Sequence, residues 1–283
     1  MAVDLPAAPG GFSVPVYERP SGVHPPLNFP DYRSTRLRAP RRTLTLMPQR
    51  LTEITGPLLG EDRVTPADAD LTMAAVGEAA TGEAPGEDLP AREAPAEDVS
   101  AGNAPAAEAP AAEAQGQRII VTGRVLDSDG RPVPDTLIEV WQANAAGRYA
   151  HAVDNHPAPL DPNFTGVGRC LTDSQGTYRF VTIKPGAYPW KNHPNAWRPA
   201  HIHFSFFGRA FTQRLVTQMY FEGDPLFGQD PIFNSVPDPA ARERLVARFE
   251  LGLTEPAWAL GYRWDIVLRG REATVFEERA ARR

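Results

Sequence analysis

Arg118-Ile119-Ile120-Val121-Thr122-Gly123-Arg124-Val125-Leu126 runs into Asp127-Ser128-Asp129-Gly130, and Thr136-Leu137-Ile138-Glu139-Val140-Trp141 follows. A β-branched run, a cluster of turn formers and a second β-branched run spell strand, turn, strand. The pattern recurs downstream. Tyr178 to Ile183, Ala200 to Phe207, Leu215 to Phe221 and Tyr262 to Leu268 are further candidate strands, separated by Gly, Pro and Asp. Short strands spaced by such turns predict a mainly β protein built as an antiparallel β-sandwich with few short helices. One helix is expected, with Asp238 as N-cap and Pro239 at its first position, running to about Arg248.

Outside that region the chain changes character. Residues 76–115 contain no aromatic residue, repeat Glu-Ala-Pro at 83–85, 93–95 and 108–110, and hold nine acidic side chains against Arg92 alone. Such a composition buries too little apolar surface to offset the entropy of ordering, and its prolines interrupt helix, so a disordered acidic insertion is expected. The formal charge of −6 is concentrated there, which leaves the remainder near +2 and removes any case for a strongly charged partner. Nucleic acid is therefore not expected as a partner. The domain reading is an irregular, Pro- and Arg-rich N-terminal extension over 1–60, a connection over 61–75, the insertion over 76–115 and the β-sandwich domain over 116–283. A hydrophobic content of 42% supports one large core.

No apolar run approaches the roughly 18 residues of a membrane span, and Met1-Ala2-Val3-Asp4 lacks the basic and apolar regions of a signal peptide. A cytoplasmic location is expected. The single cysteine, Cys170, cannot form an internal disulfide and reads as a small buried residue.

The chemistry sits in His201-Ile202-His203. Residues two apart on a strand project to one face, so both imidazoles can reach one ion. Tyr149 and Tyr188 upstream add two phenol oxygens. Phenolate is a hard anionic donor whose proton normally leaves near pH ~10, so a site using two of them needs a strongly acidic cation, and ferric iron suits it. By residue type alone, however, the tyrosines read as ordinary sheet aromatics, and the histidine pair on a strand is a modest signal for a metal.

The surrounding words decide between those readings. Gly147-Arg148-Tyr149, Leu160-Asp161-Pro162-Asn163-Phe164, Lys184-Pro185-Gly186-Ala187-Tyr188-Pro189-Trp190, Trp197-Arg198-Pro199-Ala200-His201-Ile202-His203-Phe204, Tyr220-Phe221-Glu222-Gly223-Asp224-Pro225 and Asp265-Ile266-Val267-Leu268-Arg269-Gly270 resemble the intradiol ring-cleaving dioxygenases. A weaker match surrounds Pro30-Asp31-Tyr32. The resemblance implies one Fe(III) per chain, held by Tyr149, Tyr188, His201 and His203. It further implies that Tyr188, opposite His203, dissociates when substrate arrives and serves as a base. Arg198 would stabilise charge developing on the substrate ring, a task that suits a planar, permanently charged guanidinium. Tyr32, Trp190, Gln218 and Ile232 match positions that shape the substrate pocket. His151, His156 and His193 match no ligand position.

What the resemblance implies as function is cleavage of protocatechuate with O2 to 3-carboxy-cis,cis-muconate by a non-haem iron enzyme of aromatic catabolism. Possession of all four ligands points to the iron-bearing beta chain of a two-chain enzyme, with an alpha subunit as partner in an (alpha-beta)n oligomer. In that family the N-terminal extension wraps onto the partner. Two rivals stand beside this reading. A catechol or hydroxyquinol 1,2-dioxygenase would share the ligands but carries an N-terminal helical dimerisation domain not found in 1–60. A β-sandwich binding module with a structural zinc would make poor use of two tyrosines and a neighbouring Arg.

Overall fold

The computed structural model describes residue 31 and residues 64–73, 113–151, 154–190, 196–207, 214–268 and 272–275. Tyr32, His193 and the acidic stretch through residue 112 lie outside the described residues. The strands, in chain order, are β1 (Arg118–Leu126), β2 (Leu137–Gln142), β3 (Val167–Leu171), β4 (Thr177–Ile183), β5 (Tyr188–Trp190), β6 (Ala196–Arg198), β7 (His201–Phe207), β8 (Arg214–Phe221), β9 (Val246–Phe249), β10 (Leu260–Arg263) and β11 (Ile266–Val267). Two short helices, α1 (Pro231–Asn234) and α2 (Pro239–Glu243), lie between β8 and β9. No helix among the described residues is long and apolar enough to cross a membrane.

Nine strands form one sheet that runs from β4 through β1, β10, β9, β8, β7 and β2 to β3, with β11 continuing the edge of β1 beyond β10. Its two end strands, β3 and β4, are in contact. The sheet therefore folds back on itself as a nearly closed sandwich. Most described pairings are antiparallel, but β1 runs parallel to β10 and β11, and β8 parallel to β9. These parallel pairs depart from a purely antiparallel sandwich. Each joins strands far enough apart in sequence for the chain to cross over, which a hairpin cannot do.

The core follows from period-two alternation. Ile202, Phe204 and Phe206 of β7 enter the main cluster with Ile119 and Val121 of β1, Ile138 and Val140 of β2, and Tyr178 and Phe180 of β4. The turn after β1 is closed by Asp127, whose Oδ1 accepts from the amides of Asp129 at 2.8 Å and Arg131 at 2.9 Å.

Three expectations meet a different outcome. The helix after Asp238 is capped as expected, with Oδ1 accepting from the Ala240 amide at 2.9 Å, yet it stops at Glu243. Beyond it the Leu245 carbonyl accepts from the Tyr220 amide at 2.8 Å and Val246 pairs with Tyr220, so sheet pairing takes the residues a helix would have used. The run Tyr262 to Leu268 is split rather than continuous. Trp264 turns its indole into the core, where its amide donates to Thr122 O at 2.9 Å and Asp265 Oδ1 accepts from the Arg124 amide. Finally, residues 113–115 are built into the domain, not left outside it: the Ala114 amide donates to Thr72 O, and the Gln115 amide to Asp161 Oδ2 at 2.7 Å. Residues 64–73 join the same body, with Leu71 buried in the main core.

Candidate metal centre

Two loop segments bring the tyrosines together. Gly147 has a φ of +76°, a left-handed conformation suited to glycine, and a Cβ there would lie 2.3 Å from the Ala187 carbonyl oxygen. Gly186 packs reciprocally, its amide donating to Asn144 O at 2.9 Å. The segment before Tyr149 thus lies directly against the segment before Tyr188. Asp154 then fixes the turn, with Oδ2 accepting from the Tyr149 amide and Oδ1 from the His156 amide, both at 2.8 Å. The two phenol rings meet edge to face at 5.6 Å between centroids.

The histidines come from β7. Because Ile202 and Phe204 point into the core, His201 and His203 share the opposite face, where they sit directly across from Tyr220 and Gln218 of β8. On its other side His203 stacks on Trp141 of β2, at 4.9 Å and an interplanar angle of 9°. His201 Nδ1 lies 2.7 Å from Pro199 O, so Nδ1 carries the proton and donates it to the carbonyl. That leaves the Nε2 lone pair directed inward, 3.4 Å from Tyr188 Oη. The His201 and His203 rings lie 5.0 Å apart, and Tyr149 and His203 6.3 Å. All four side chains singled out in the sequence therefore converge.

Their electrostatics favour a cation. Burial pushes both imidazoles well below their usual range, with Arg198 adding to the effect on His201 and the neighbouring His201 adding to it on His203. They are neutral donors. Burial, then the proximity of Tyr188, pushes the Tyr149 phenol well above its usual range. Its oxygen is also buried with no hydrogen-bond partner among the described residues. A buried hydroxyl left unpaired costs about 1–3 kcal/mol, and a strongly Lewis-acidic ion that displaced the proton would remove that cost. Two imidazole nitrogens and two phenol oxygens form a donor set that fits such an ion.

Beside this set lies a buried polar network that begins with Arg198 on β6, which pairs with Tyr188 of β5. The guanidinium donates through Nε to Asp230 Oδ1 at 3.2 Å and through Nη2 to Asp230 Oδ2 at 3.0 Å, to Tyr220 Oη at 3.0 Å and to Gln218 Oε1. Arg198 also lies 5.9 Å from the Trp190 ring. Ile232 enters through its backbone, its amide donating to Asp230 Oδ1 at 2.9 Å. Trp190 and Gln218 thus lie beside Arg198, and Ile232 is linked to it through Asp230. His151 is exposed and His156 contributes its amide to the Asp154 turn.

Trp141, Asp154, Tyr220 and Asp230 belong to this site and were not singled out in the sequence. Tyr220 was within reach, since it lies two residues after Gln218 and so on the same strand face. Asp230-Pro231 also carries the signature of a helix start. Nothing local signals that the Asp230 carboxylate meets an arginine 32 residues away.

Comparison with known proteins bears on this arrangement. A family model described as "Dioxygenase" matches residues 96–270, and one described as "Protocatechuate 3,4-dioxygenase beta subunit N terminal" matches residues 17–50. The chain is 54% identical to the protocatechuate 3,4-dioxygenase beta chain of Burkholderia cepacia over 90% of its own length and 94% of that chain. It is 32% identical to the protocatechuate 3,4-dioxygenase alpha chain of Pseudomonas putida, over 57% of its length and 76% of that chain. Identity to the hydroxyquinol 1,2-dioxygenase of a Rhizobium species is also 32%, over 54% of this chain and 53% of that one.

Proposed function

The chain belongs to the intradiol dioxygenase family, and from that membership we propose that it is the iron-bearing beta chain of an enzyme that cleaves protocatechuate with O2 to 3-carboxy-cis,cis-muconate. Family membership joined to one observation carries the reading: the four side chains lie against one another, and the Tyr149 oxygen among them is buried with no hydrogen-bond partner among the described residues. Tyr149, Tyr188, His201 and His203 would hold one ferric ion. When bound, ferric iron supplies a Lewis acid that makes a catecholate reactive toward O2.

The protein's own groups do the rest. Tyr188, at the start of β5, would serve as the base for a catechol proton, while Tyr149 and His201 would go on holding the ion. The Pro199 carbonyl keeps His201 in the tautomer that leaves Nε2 free. Arg198 supplies positive charge that a dry, closed network keeps in place. Trp190, Gln218 and Ile232 form the wall on the Arg198 side, and Tyr32 would complete it. Greater identity to a beta chain than to an alpha chain supports pairing with a separate alpha subunit in an alpha–beta oligomer. A cytoplasmic location agrees with the one cysteine being a free thiol.

The test is the iron-loaded alpha–beta complex, assayed by O2 uptake and product formation on protocatechuate, catechol and hydroxyquinol. Protocatechuate is expected to be turned over fastest, by a red-brown protein whose colour shifts on substrate binding. Preference for catechol would overturn the substrate, and a colourless protein at full iron occupancy would overturn the ligand set.

A further inference from the structure

Asp230 is completely buried, and the side chain of its partner Arg198 is 3% exposed. Removing two such charges from water costs several kcal/mol per ion, so a buried pair is weak evidence of stabilisation for its own sake. Its geometry is more telling. Asp230 Oδ1 accepts from Arg198 Nε and from the Ile232 amide, and Oδ2 accepts from Arg198 Nη2 and the Tyr220 hydroxyl. Arg198 and the Ile232 amide between them engage both carboxylate oxygens, and the one Tyr220 proton is shared between Asp230 Oδ2 and Gln218 Oε1, so the carboxylate is turned to its protein partners. The same contacts occupy the Nε and Nη2 edge of the guanidinium. Nη1 donates to none of the described residues.

We propose that Asp230 is a positioning residue: it holds the Nε and Nη2 edge of Arg198 so that Nη1 is kept for the substrate, and ties that guanidinium to the helix start carrying Ile232. One carboxylate then sets both the catalytic charge and one wall of the pocket. A fork-to-fork pair fixes orientation in a way a single contact to a lysine would not. Tyr220, whose hydroxyl lies within hydrogen-bond distance of Arg198, Asp230 and Gln218, locks the arrangement from β8. The inference rests on the proposed catalytic role of Arg198.

Asp230→Asn separates the two duties of the carboxylate. An asparagine oxygen can still cap the Ile232 amide, but its NH2 would face the Arg198 Nη2 donors. In the iron-loaded alpha–beta complex, D230N is expected to keep iron and the substrate-induced colour change, and to lose about 10- to 100-fold in kcat with KM little changed. In an Arg198→Ser background the same replacement is expected to cost nothing further. A crystal structure of D230N is expected to show the guanidinium displaced with the α1 cap intact. Unchanged kcat, an equal loss in both backgrounds, or an unmoved guanidinium would each overturn the proposal. If R198S fails to fold, Tyr220→Phe takes its place: it removes only the shared hydroxyl and should lower kcat without loss of iron, and unaltered kcat would count against the idea. Should the parent complex turn over none of the catechols, the proposed function falls, and the position of the guanidinium in D230N still decides this inference.

Discussion

At the scale of single residues, burial sets protonation, and the same force acts differently on each group. It keeps His201 and His203 neutral, as a metal ligand must be, and keeps the proton on Tyr149 until something stronger displaces it. Far from the site, burial silences Cys170. Its thiol is 6% exposed and pushed up to about 12, so the reactive thiolate is negligible through neutral and mildly alkaline pH. Native protein at pH 8 is expected to resist a thiol-specific reagent and to take up one equivalent on unfolding. Rapid labelling of the folded protein would contradict that account.

At the scale of elements, the centre depends on how closely two loops approach. The segments ending in Tyr149 and Tyr188 touch through Gly147 and Gly186, where any side chain would meet backbone oxygen. Gly147→Ala forces an alanine into a left-handed conformation, at about 1–2 kcal/mol, before the clash with Ala187 O is counted. The variant is expected to melt at least about 2–8 °C lower and to hold less iron per chain, measured by calorimetry and metal analysis. A variant with the parent's melting temperature and iron content would show that the two loops do not depend on this contact. β7 contributes differently: its register is fixed by Ile202, Phe204 and Phe206, so a slip of one residue would turn both histidines into the core.

At the scale of the whole molecule, charge and fold are separable. Residues 76–112 carry −7 of the formal charge, with eight acidic groups and one arginine. The structure on either side already meets, since the Ala114 amide donates to the Thr72 carbonyl at 3.3 Å. Joining Ala75 to Glu113 would keep that contact and leave Ala74 and Ala75 to turn the corner. Loop closure varies only as the logarithm of length, so the deletion is expected to change stability by on the order of 1 kcal/mol. The net charge would move to +1 while turnover of protocatechuate by the alpha–beta complex stays at the parent's rate. Loss of assembly with the alpha chain would make the acidic stretch a docking element.

The sequence by itself determined what repeats locally or is spelled in short words. Alternation in Ala200 to Phe207 placed the histidine pair on one face, and the words around Tyr149 and Tyr188 marked these two as candidates to join it. Strand β1 was legible to the residue because Ile119 to Thr122 are all β-branched and the turn formers from Asp127 mark its end. Tertiary structure decided what depends on a distant partner. The strands β3, β5, β6 and β9 carry little pattern of their own and exist because a neighbour pairs with them. α2 ends where β8 claims Leu245 and Val246. The seat of Arg198 could not be read at all, because a hydrogen bond to Asp230 is a relation between two points of the fold. Sequence periodicity reports which way a side chain faces; only the folded chain fixes what it faces.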